Sequence, residues 1–495
     1  RRGLAGGRPL PLMKIPPEQQ EVAAFLASIT GQDVVETHIS AVFLGEREAL
    51  KLKKAVDFGF LDFTRLSERE RLTRHEQALN AAHAPGLYLG AVPVTREADG
   101  ALALAGMGEA VEWVLRMRRL AARDFLDAHG PLSEALLDAT ADAVVALHAA
   151  APRRDGDGAM DATLAGNRDA GLGAGLSAQD VTRWHADASA RHAALRPWFA
   201  ARAAAGFLRR CHGDLHLGNL CLLDGAPHAF DALEFDEALA TIDVGYDLAF
   251  LLMDLEQRQG RRAANRVLNR YVARTGDAAL VRGLPLWLSL RAFIRAHVAA
   301  RRGDDPRALL AAAQAYLQPA PPRLLAIGGL QGTGKSHLAR RLAPALGASP
   351  GALVLRSDEI RKRRAGAAPE EHLPDSAYAP DESAAVFAEL AGLARQAMES
   401  GHSVIADGVF QREAERARIA EAGAPFTGLW LTAPMEVLRR RVAARRGDAS
   451  DATVAILEAA ARRDAGRITW HVVDTTDDPL PRVRKLLDSE APPSP

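Results

Sequence analysis

Aromatic residues make up only 5% of the sequence, and there are just two cysteines, Cys211 and Cys221. Two thiols cannot build a disulfide framework, and without a C-x-x-C pair they do not anchor an ordinary zinc site. Both read as reduced, packed thiols. So few rings leave little material for base-stacking platforms. Neither sign of charge is in excess: Lys plus Arg and Asp plus Glu each total 62, so the formal net charge is zero. That balance argues against a general nucleic-acid binder, while leaving room for a local basic pocket for ATP. No run of about 18 uncharged apolar residues is present, so no membrane span is expected. The Arg-, Gly- and Pro-rich run 1–12 lacks the apolar stretch of a signal peptide, and the cytoplasm is the expected compartment. Residue 1 is Arg, which makes Met13 the candidate natural start, and residues 1–13 are expected to be disordered.

What the sequence does have is size and an ordinary globular composition, with 495 residues, 48% apolar and 25% charged. That is too long for one hydrophobic core. A Pro-rich stretch at 319–322 separates residues 14–318 from 323–495. The first piece opens with strand-like segments at Val34–Glu46, Ala49–Lys53, Tyr88–Val94 and Ala101–Ala105. It turns helical at Ser133–Leu147 and Asp277–Leu317, while the Gly- and Asp-rich stretch Pro152–Gly175 reads as a loop. A small lobe at about 30–115 and a larger, mostly helical lobe at about 116–318 are expected, an α+β arrangement. The second piece alternates strand and helix, which predicts an α/β domain with a parallel sheet.

The second piece starts with a buried-strand pattern, Arg323–Ile327, that runs into Gly329-Leu330-Gln331-Gly332-Thr333-Gly334-Lys335-Ser336 and then a helix. This is G-x-x-x-x-G-K-[ST], the Walker A loop, in its required strand–loop–helix context. Gly329, Gly332, Thr333 and Gly334 would let backbone N–H groups face phosphate oxygens at a helix N-terminus. Lys335 would reach the β- and γ-phosphates and Ser336 would hold Mg²⁺. Two aspartates follow later strand patterns: Asp358, a candidate general base toward an acceptor hydroxyl, and Asp407, a candidate support for Mg²⁺. An Asp after a strand is also a common turn or cap residue. Arg445 and Arg446, after the basic helix Met435–Ala444, are candidates for a lid that neutralises phosphate charge. Arg439–Arg441 read as a solvated face. This segment resembles the small P-loop kinases, the group of gluconate and adenylylsulfate kinases, polynucleotide kinase and zeta-type toxins. The resemblance implies phosphoryl transfer to a small hydroxyl-bearing acceptor.

In the first piece, His212-Gly213-Asp214-Leu215-His216-Leu217-Gly218-Asn219 has the spacing H-x-D-x-x-x-x-N of a kinase catalytic loop. Asp224-Gly225 between two apolar runs predicts a hairpin that brings Asp231 back beside Asn219. Asp214 would then orient or deprotonate an acceptor hydroxyl, and Asn219 and Asp231 would hold Mg²⁺. The segment resembles the aminoglycoside phosphotransferase and choline kinase group of kinase-like folds. The whole chain is similar to a bacterial family that fuses such a domain to a P-loop ATP-binding domain. That likeness is carried by Lys51-Leu52-Lys53-Lys54, Phe58–Phe63, Leu87–Gly90, Glu112-Trp113 and Ile242–Phe250.

The resemblance implies a bilobal, protein-kinase-like domain that uses ATP and Mg²⁺. It implies a phosphate-binding lysine, with Lys51 the first choice and Lys53 the alternative, paired with Glu76 on the next helix. It also implies an adenine-reading hinge around Glu112-Trp113-Val114, a bracing role for His212, and loop-stabilising roles for Asp243 and Asp247. The Gly-rich flap of protein kinases is absent from Ile39–Arg47, where Gly45 is the lone glycine. Three functions stay open on sequence alone. The first is a bifunctional small-molecule kinase. The second is a nucleotide-sensing regulator whose P-loop half hydrolyses ATP while the other half binds a ligand. The third is an antibiotic-modifying or zeta-toxin-like kinase, for which Glu234, Asp236 and Glu237 are the candidate acidic pocket.

Overall fold

The computed structural model describes residues 14–31, 33–37, 39–57, 62–156, 158–444 and 450–490. Residues 1–13, Phe58–Leu61 of the family motif and the lid candidates Arg445 and Arg446 lie outside the described residues.

Helix α1 (Gln20–Thr30) precedes the strands β1 (Asp33–Glu36), β2 (Ser40–Leu44) and β3 (Glu48–Lys53). The expected strand Val34–Glu46 is thus two strands, turned where the Thr37 N–H donates to Ser40 O. Helix α2 (Leu66–Asn80) and strands β4 (Tyr88–Arg96), β5 (Leu102–Leu104) and β6 (Glu109–Arg118) complete an antiparallel sheet in the order β1-β2-β3-β6-β4-β5. Alternation along β3 puts Leu50 and Leu52 into a core with Leu26, Phe43, Val94 and Val114. Lys51 and Lys53 therefore share the opposite face and meet α2. The buried side of α2 carries Arg69, Glu76 and Asn80 beside Leu72. A helix that buries charge on its inner face must supply partners there.

The helical part holds α3 (Glu134–Ala150), α4 (Met160–Gly173) and α5 (Ala178–Ala204). Helix α4 occupies the stretch read as a loop. Its buried positions, Met160, Leu164 and Gly171, keep helical spacing. A Cβ at Gly171 would sit 2.8 Å from the Phe293 ring, so that glycine serves close packing rather than a turn. Strands β7 (Leu208–Arg210), β8 (Leu220–Leu223) and β9 (Ala226–Ala229) follow, then α6 (Glu237–Ala240), β10 (Thr241–Asp243) and α7 (Val244–Gln259). β8 and β9 form the expected hairpin, with Asp224 and Gly225 both at positive φ. Helices α8 (Arg261–Thr275), α9 (Leu284–Arg302) and α10 (Arg307–Leu317) end this part, and the expected run to Leu317 breaks at Gly303–Pro306.

The remaining chain runs β11 (Leu324–Gly329), α11 (Lys335–Leu342), β12 (Leu353–Arg356), α12 (Ser357–Arg364), α13 (Pro380–Glu399) and β13 (Val404–Asp407). It continues with α14 (Glu413–Ala420), β14 (Phe426–Thr432), α15 (Met435–Ala443), α16 (Val454–Ala461), β15 (His471–Asp474) and α17 (Leu480–Ser489). The five strands are parallel in the order β12-β13-β11-β14-β15. Central β11 is buried throughout, which suits its unbroken apolar run.

Contacts divide the chain into two compact units, residues 1–132, 146–254 and 289–314, and residues 133–145, 255–288 and 315–495. In the second, α8 covers edge strand β12. Asn265 Nδ2 donates to Ala352 O (3.0 Å) and the Val354 N–H donates to Asn269 Oδ1 (2.6 Å). Side-chain amides thus take hydrogen bonds that a sixth strand would have made.

Candidate active sites

Within the first unit, β3, α2, the loop before β8 and the segment after β9 meet at one place. Lys51 Nζ lies 2.7 Å from Glu76 Oε1 and 2.6 Å from Asp231 Oδ1. Lys53 Nζ takes the other Glu76 oxygen at 2.7 Å and also pairs with Glu234. Burial works against the Lys51 ammonium, but Asp231, Glu76 and Glu234 outweigh it and hold its pKa well above the ordinary lysine value. Burial likewise opposes charge on Glu76, and the two lysines overcome it, bringing the carboxyl down to about 2. Lys51 is 14% exposed and Lys53 only 1%, so Lys51 is the lysine that faces the cleft.

Asn219 Nδ2 donates to both the backbone oxygen and Oδ2 of Asp214, each at 2.9 Å. His216 Nε2 lies 3.5 Å from the same carboxylate. Burial opposes ionisation of Asp214, yet its hydrogen bond with His216, with His212 and Arg291 nearby, brings the carboxyl down to about 2. Asp214 is therefore anionic throughout the physiological range. Asp231 adopts φ +60°, a left-handed conformation that aspartate tolerates better than most non-glycine residues. Its N–H donates to Tyr88 Oη (2.9 Å), and the next N–H, of Ala232, donates to Asn80 Oδ1 (2.9 Å). The oxygens of Asn219 and Asp231 are hard donors suited to Mg²⁺, with the Asp214 carboxylate beside Asn219.

His212 braces the loop, as expected: Nε2 bonds Phe230 O (2.9 Å) and Nδ1 accepts the Asp214 N–H (3.3 Å). Asp247 accepts the N–H groups of His212 (3.0 Å) and Gly213 (2.9 Å). Asp243 does not join it, because its carboxylate is taken by Arg202 at 2.6 and 2.9 Å. Asp254 accepts the Leu217 N–H (3.1 Å), a loop anchor that the sequence pattern did not single out.

Arg291 is a second such residue. Nη1 donates to Gly213 O (3.1 Å), and the guanidinium stacks on Tyr246 and Phe250, 3.9 and 4.6 Å from the ring centroids. Replacing Arg291 with Met should destabilise the protein by about 3 kcal/mol, because Asp247 stays buried with less compensation. Denaturant unfolding of the full chain checks this, with Arg291→Lys expected to recover part of the loss.

The expected hinge at Glu112–Val114 is corrected. These residues lie within β6, where Val114 is paired on both sides with Leu52 and Val92. The Trp113 N–H is taken by Glu112 Oε1 (2.9 Å), so the backbone here is engaged within the fold, and Glu112 is buried against Arg69 and Gln19. The acidic-pocket candidates are also spoken for. Glu234 is buried on Lys53, Asp236 caps α6 through Ala238 and Leu239, and Glu237 pairs with Arg210. Both cysteines are buried and unbridged. Cys211, His148 and Asp247 lie close enough to hold a metal, but His148 pairs with Asp247 (3.2 Å) and burial pushes the Cys211 thiol far up.

In the second unit the Walker loop links β11 to α11, at the carboxyl ends of the parallel strands, where open α/β sheets bind ligands. A Cβ at Gly329 would meet Leu431 O at 2.4 Å, and one at Gly332 would meet Leu438 O at 2.9 Å, so neither tolerates a side chain. Gly334 caps α11 at φ +85°, while the Thr333 hydroxyl turns inward to Leu330 O (2.8 Å). Lys335 Nζ donates to Gly329 O and Leu330 O, each at 3.0 Å. Ser336 Oγ donates to Asp407 Oδ2 at 2.5 Å, so the sheet register brings together two residues 71 positions apart. Arg356 Nε stands 3.3 Å from the same oxygen and Nη1 3.0 Å from Glu359.

Asp358 lies in the first turn of α12 and lines the cleft of about 760 Å³ in front of the loop. Arg361, buried beside Tyr378, lines it too, with Nε lacking a partner. Arg439, as expected, is an exposed ion-pair residue with Glu458, but Arg441 departs from the expected solvated face, its Nη2 donating to Thr475 O (2.8 Å).

These two constellations define a bilobal α+β kinase-like phosphotransferase domain followed by an α/β P-loop domain with a parallel sheet. A model of the phosphotransferase enzyme family matches residues 60–293, and one of an AAA domain matches residues 324–464. A protein of Mycobacterium tuberculosis (strain ATCC 25618 / H37Rv), described as uncharacterized, is 31% identical over 500 residues, which is 92% of this chain and 94% of that one. The chain belongs to the same family as this mycobacterial protein. Among solved structures, a choline/ethanolamine kinase family protein from Mesorhizobium loti is similar over 61% of this chain and 95% of its own, at 16% identity and TM-score 0.38. A sugar kinase from Janibacter sp. HTCC2649 is similar over 34% of this chain and 95% of its own, at 21% identity and TM-score 0.26. Among the described residues no helix is long and apolar enough to cross a membrane.

Proposed function

We propose that the chain is a bifunctional ATP-dependent phosphotransferase, each half passing the γ-phosphate of ATP to a hydroxyl group of a small molecule. The observation that carries this reading is the meeting of Lys51, Glu76 and Asp231 beside the Asp214–Asn219 pair. In the first site, Asp214 orients the acceptor hydroxyl, and the new O–P bond forms as the bond to the β-phosphate oxygen breaks. The hydroxyl proton passes to the Asp214 carboxylate late in the step, in keeping with its low pKa. Asn219 and Asp231 would hold Mg²⁺, which would supply charge neutralisation to the phosphates.

In the second site, Lys335 would contact the phosphates, Ser336 and Asp407 would hold Mg²⁺, and Asp358 would face the acceptor hydroxyl. Arg361 is placed to meet an anionic group of that acceptor. The three acids that favoured a cationic aminoglycoside acceptor are engaged in the fold, so a neutral or anionic hydroxyl compound fits better. The test is transfer of labelled γ-phosphate by the full chain to a panel of polyols, sugars, hydroxy acids and aminoglycosides. Labelled product that requires Mg²⁺ is expected. A chain that neither labels an acceptor nor consumes ATP would sink the proposal.

A further inference from the structure

Lys53 has no route to a nucleotide. Its side chain is 1% exposed, and its ammonium is shared between Glu76 and Glu234. A buried ammonium costs several kcal/mol unless it is well paired, and a single lysine at Lys51 already serves a phosphate. The ion pairs run in space as one series, Asp231 to Lys51 to Glu76 to Lys53 to Glu234. Its two ends, Asp231 and Glu234, sit on the same short segment after β9. That segment includes the left-handed Asp231 and is held at its backbone by Tyr88, Asn80 and His212.

We propose that Lys53 and Glu234 are positioning residues, which pin the 231–234 segment to β3 and α2 and so set the Asp231 carboxylate for metal binding. The inference rests on the reading of the first unit as a MgATP site. Glu234 matters through charge sharing. While it is present, Lys53 draws on two carboxylates and leaves one Glu76 oxygen to Lys51. Without it, Lys53 depends on Glu76 alone. Lys51 then leans harder on Asp231, the oxygen that the metal requires. The expected symptom is a raised Mg²⁺ requirement with little change in metal-free nucleotide binding. Loss of Lys51, by contrast, removes a phosphate contact whether or not Mg²⁺ is present.

The experiment uses the full chain carrying Lys335→Ala, which weakens the second nucleotide site, and titrates a fluorescent ADP across Mg²⁺ concentrations. Glu234→Ala, which loses both the pin and the charge sharing, should raise the Mg²⁺ concentration for half-maximal ADP binding roughly tenfold, the factor for losing a hydrogen bond to a charged group. Lys53→Met, which loses the pin but frees Glu76 for Lys51, should raise it by less. Metal-free ADP affinity should stay within about twofold for both, whereas Lys51→Met should weaken both measurements. The near-isosteric Glu234→Gln keeps an acceptor for Lys53 and should raise the Mg²⁺ requirement by a smaller factor. It decides the matter if Glu234→Ala and Lys53→Met unfold. A Mg²⁺ requirement unchanged in Glu234→Gln, or metal-free binding weakened in folded Lys53→Met as much as in Lys51→Met, overturns the inference. MgADP binding that is absent from the Lys335→Ala protein itself would overturn the reading of the first site, and the inference with it.

Discussion

Lys335→Ala should lower ATP turnover at the second site by at least about a hundredfold while leaving the fold intact. The measurement uses full chain that already carries Asp231→Asn, so that the first site contributes little. Lys335 lies on the loop, where its ammonium donates to Gly329 O and Leu330 O. No apolar core depends on it, since the core under α11 is built from Leu325, Ile327, Leu338 and Leu342. On the proposed reading, what is lost is a positive charge that would meet phosphate oxygens, and removal of one such preorganised group typically costs a factor of a hundred to a thousand. The unfolding midpoint should therefore shift little. Undiminished turnover in the double variant would remove the phosphate-contact role from Lys335.

Both candidate sites could be read from the sequence because each rests on a short motif whose geometry is local. Gly329–Ser336 needs only a strand before it and a helix after it. The Asp224-Gly225 turn is enough to fold β9 back on β8 and return Asp231 to Asn219. What stayed hidden depends on partners far away in the chain. Lys51 and Lys53 were legible as neighbours on one face of β3. Which of them reaches Asp231 is decided by how the sheet closes on residues 180 positions later. Asp243 and Asp247 look equivalent four residues apart, and Arg202, 41 residues upstream of Asp243, separates their roles. The hinge was misplaced because Glu112-Trp113 is distinctive in sequence for another reason: Glu112 is a buried partner of Arg69. Helix α4 was missed because its glycines read as turn formers, although Gly171 is small to admit Phe293. The asparagines of α8 that cover β12, Asn265 and Asn269, share one helix face, but their spacing does not say which strand they meet.

In the first site, Asp231→Asn and Asp214→Asn should both abolish transfer but differ in how they affect binding. With Lys335→Ala silencing the second site, Asp231→Asn is expected to weaken Mg²⁺-dependent ADP binding about tenfold or more, since it removes an anionic ligand. It also deprives Lys51 of a carboxylate at 2.6 Å, which drives the ammonium back onto Glu76. Asp214→Asn should leave MgADP affinity nearly unchanged, because Asp214 is tied to Asn219 and His216 rather than to Lys51 or Asp231. Its proposed task is at the acceptor hydroxyl, where an amide could not take the proton. Positioning and charge stabilisation carry most of phosphoryl transfer, so each substitution should cost roughly a hundredfold or more in turnover. Calorimetric MgADP titration alongside product formation separates the two effects. Equal loss of MgADP affinity in both variants would mean that Asp214 helps to hold the metal, and the division of labour drawn from the geometry would be wrong.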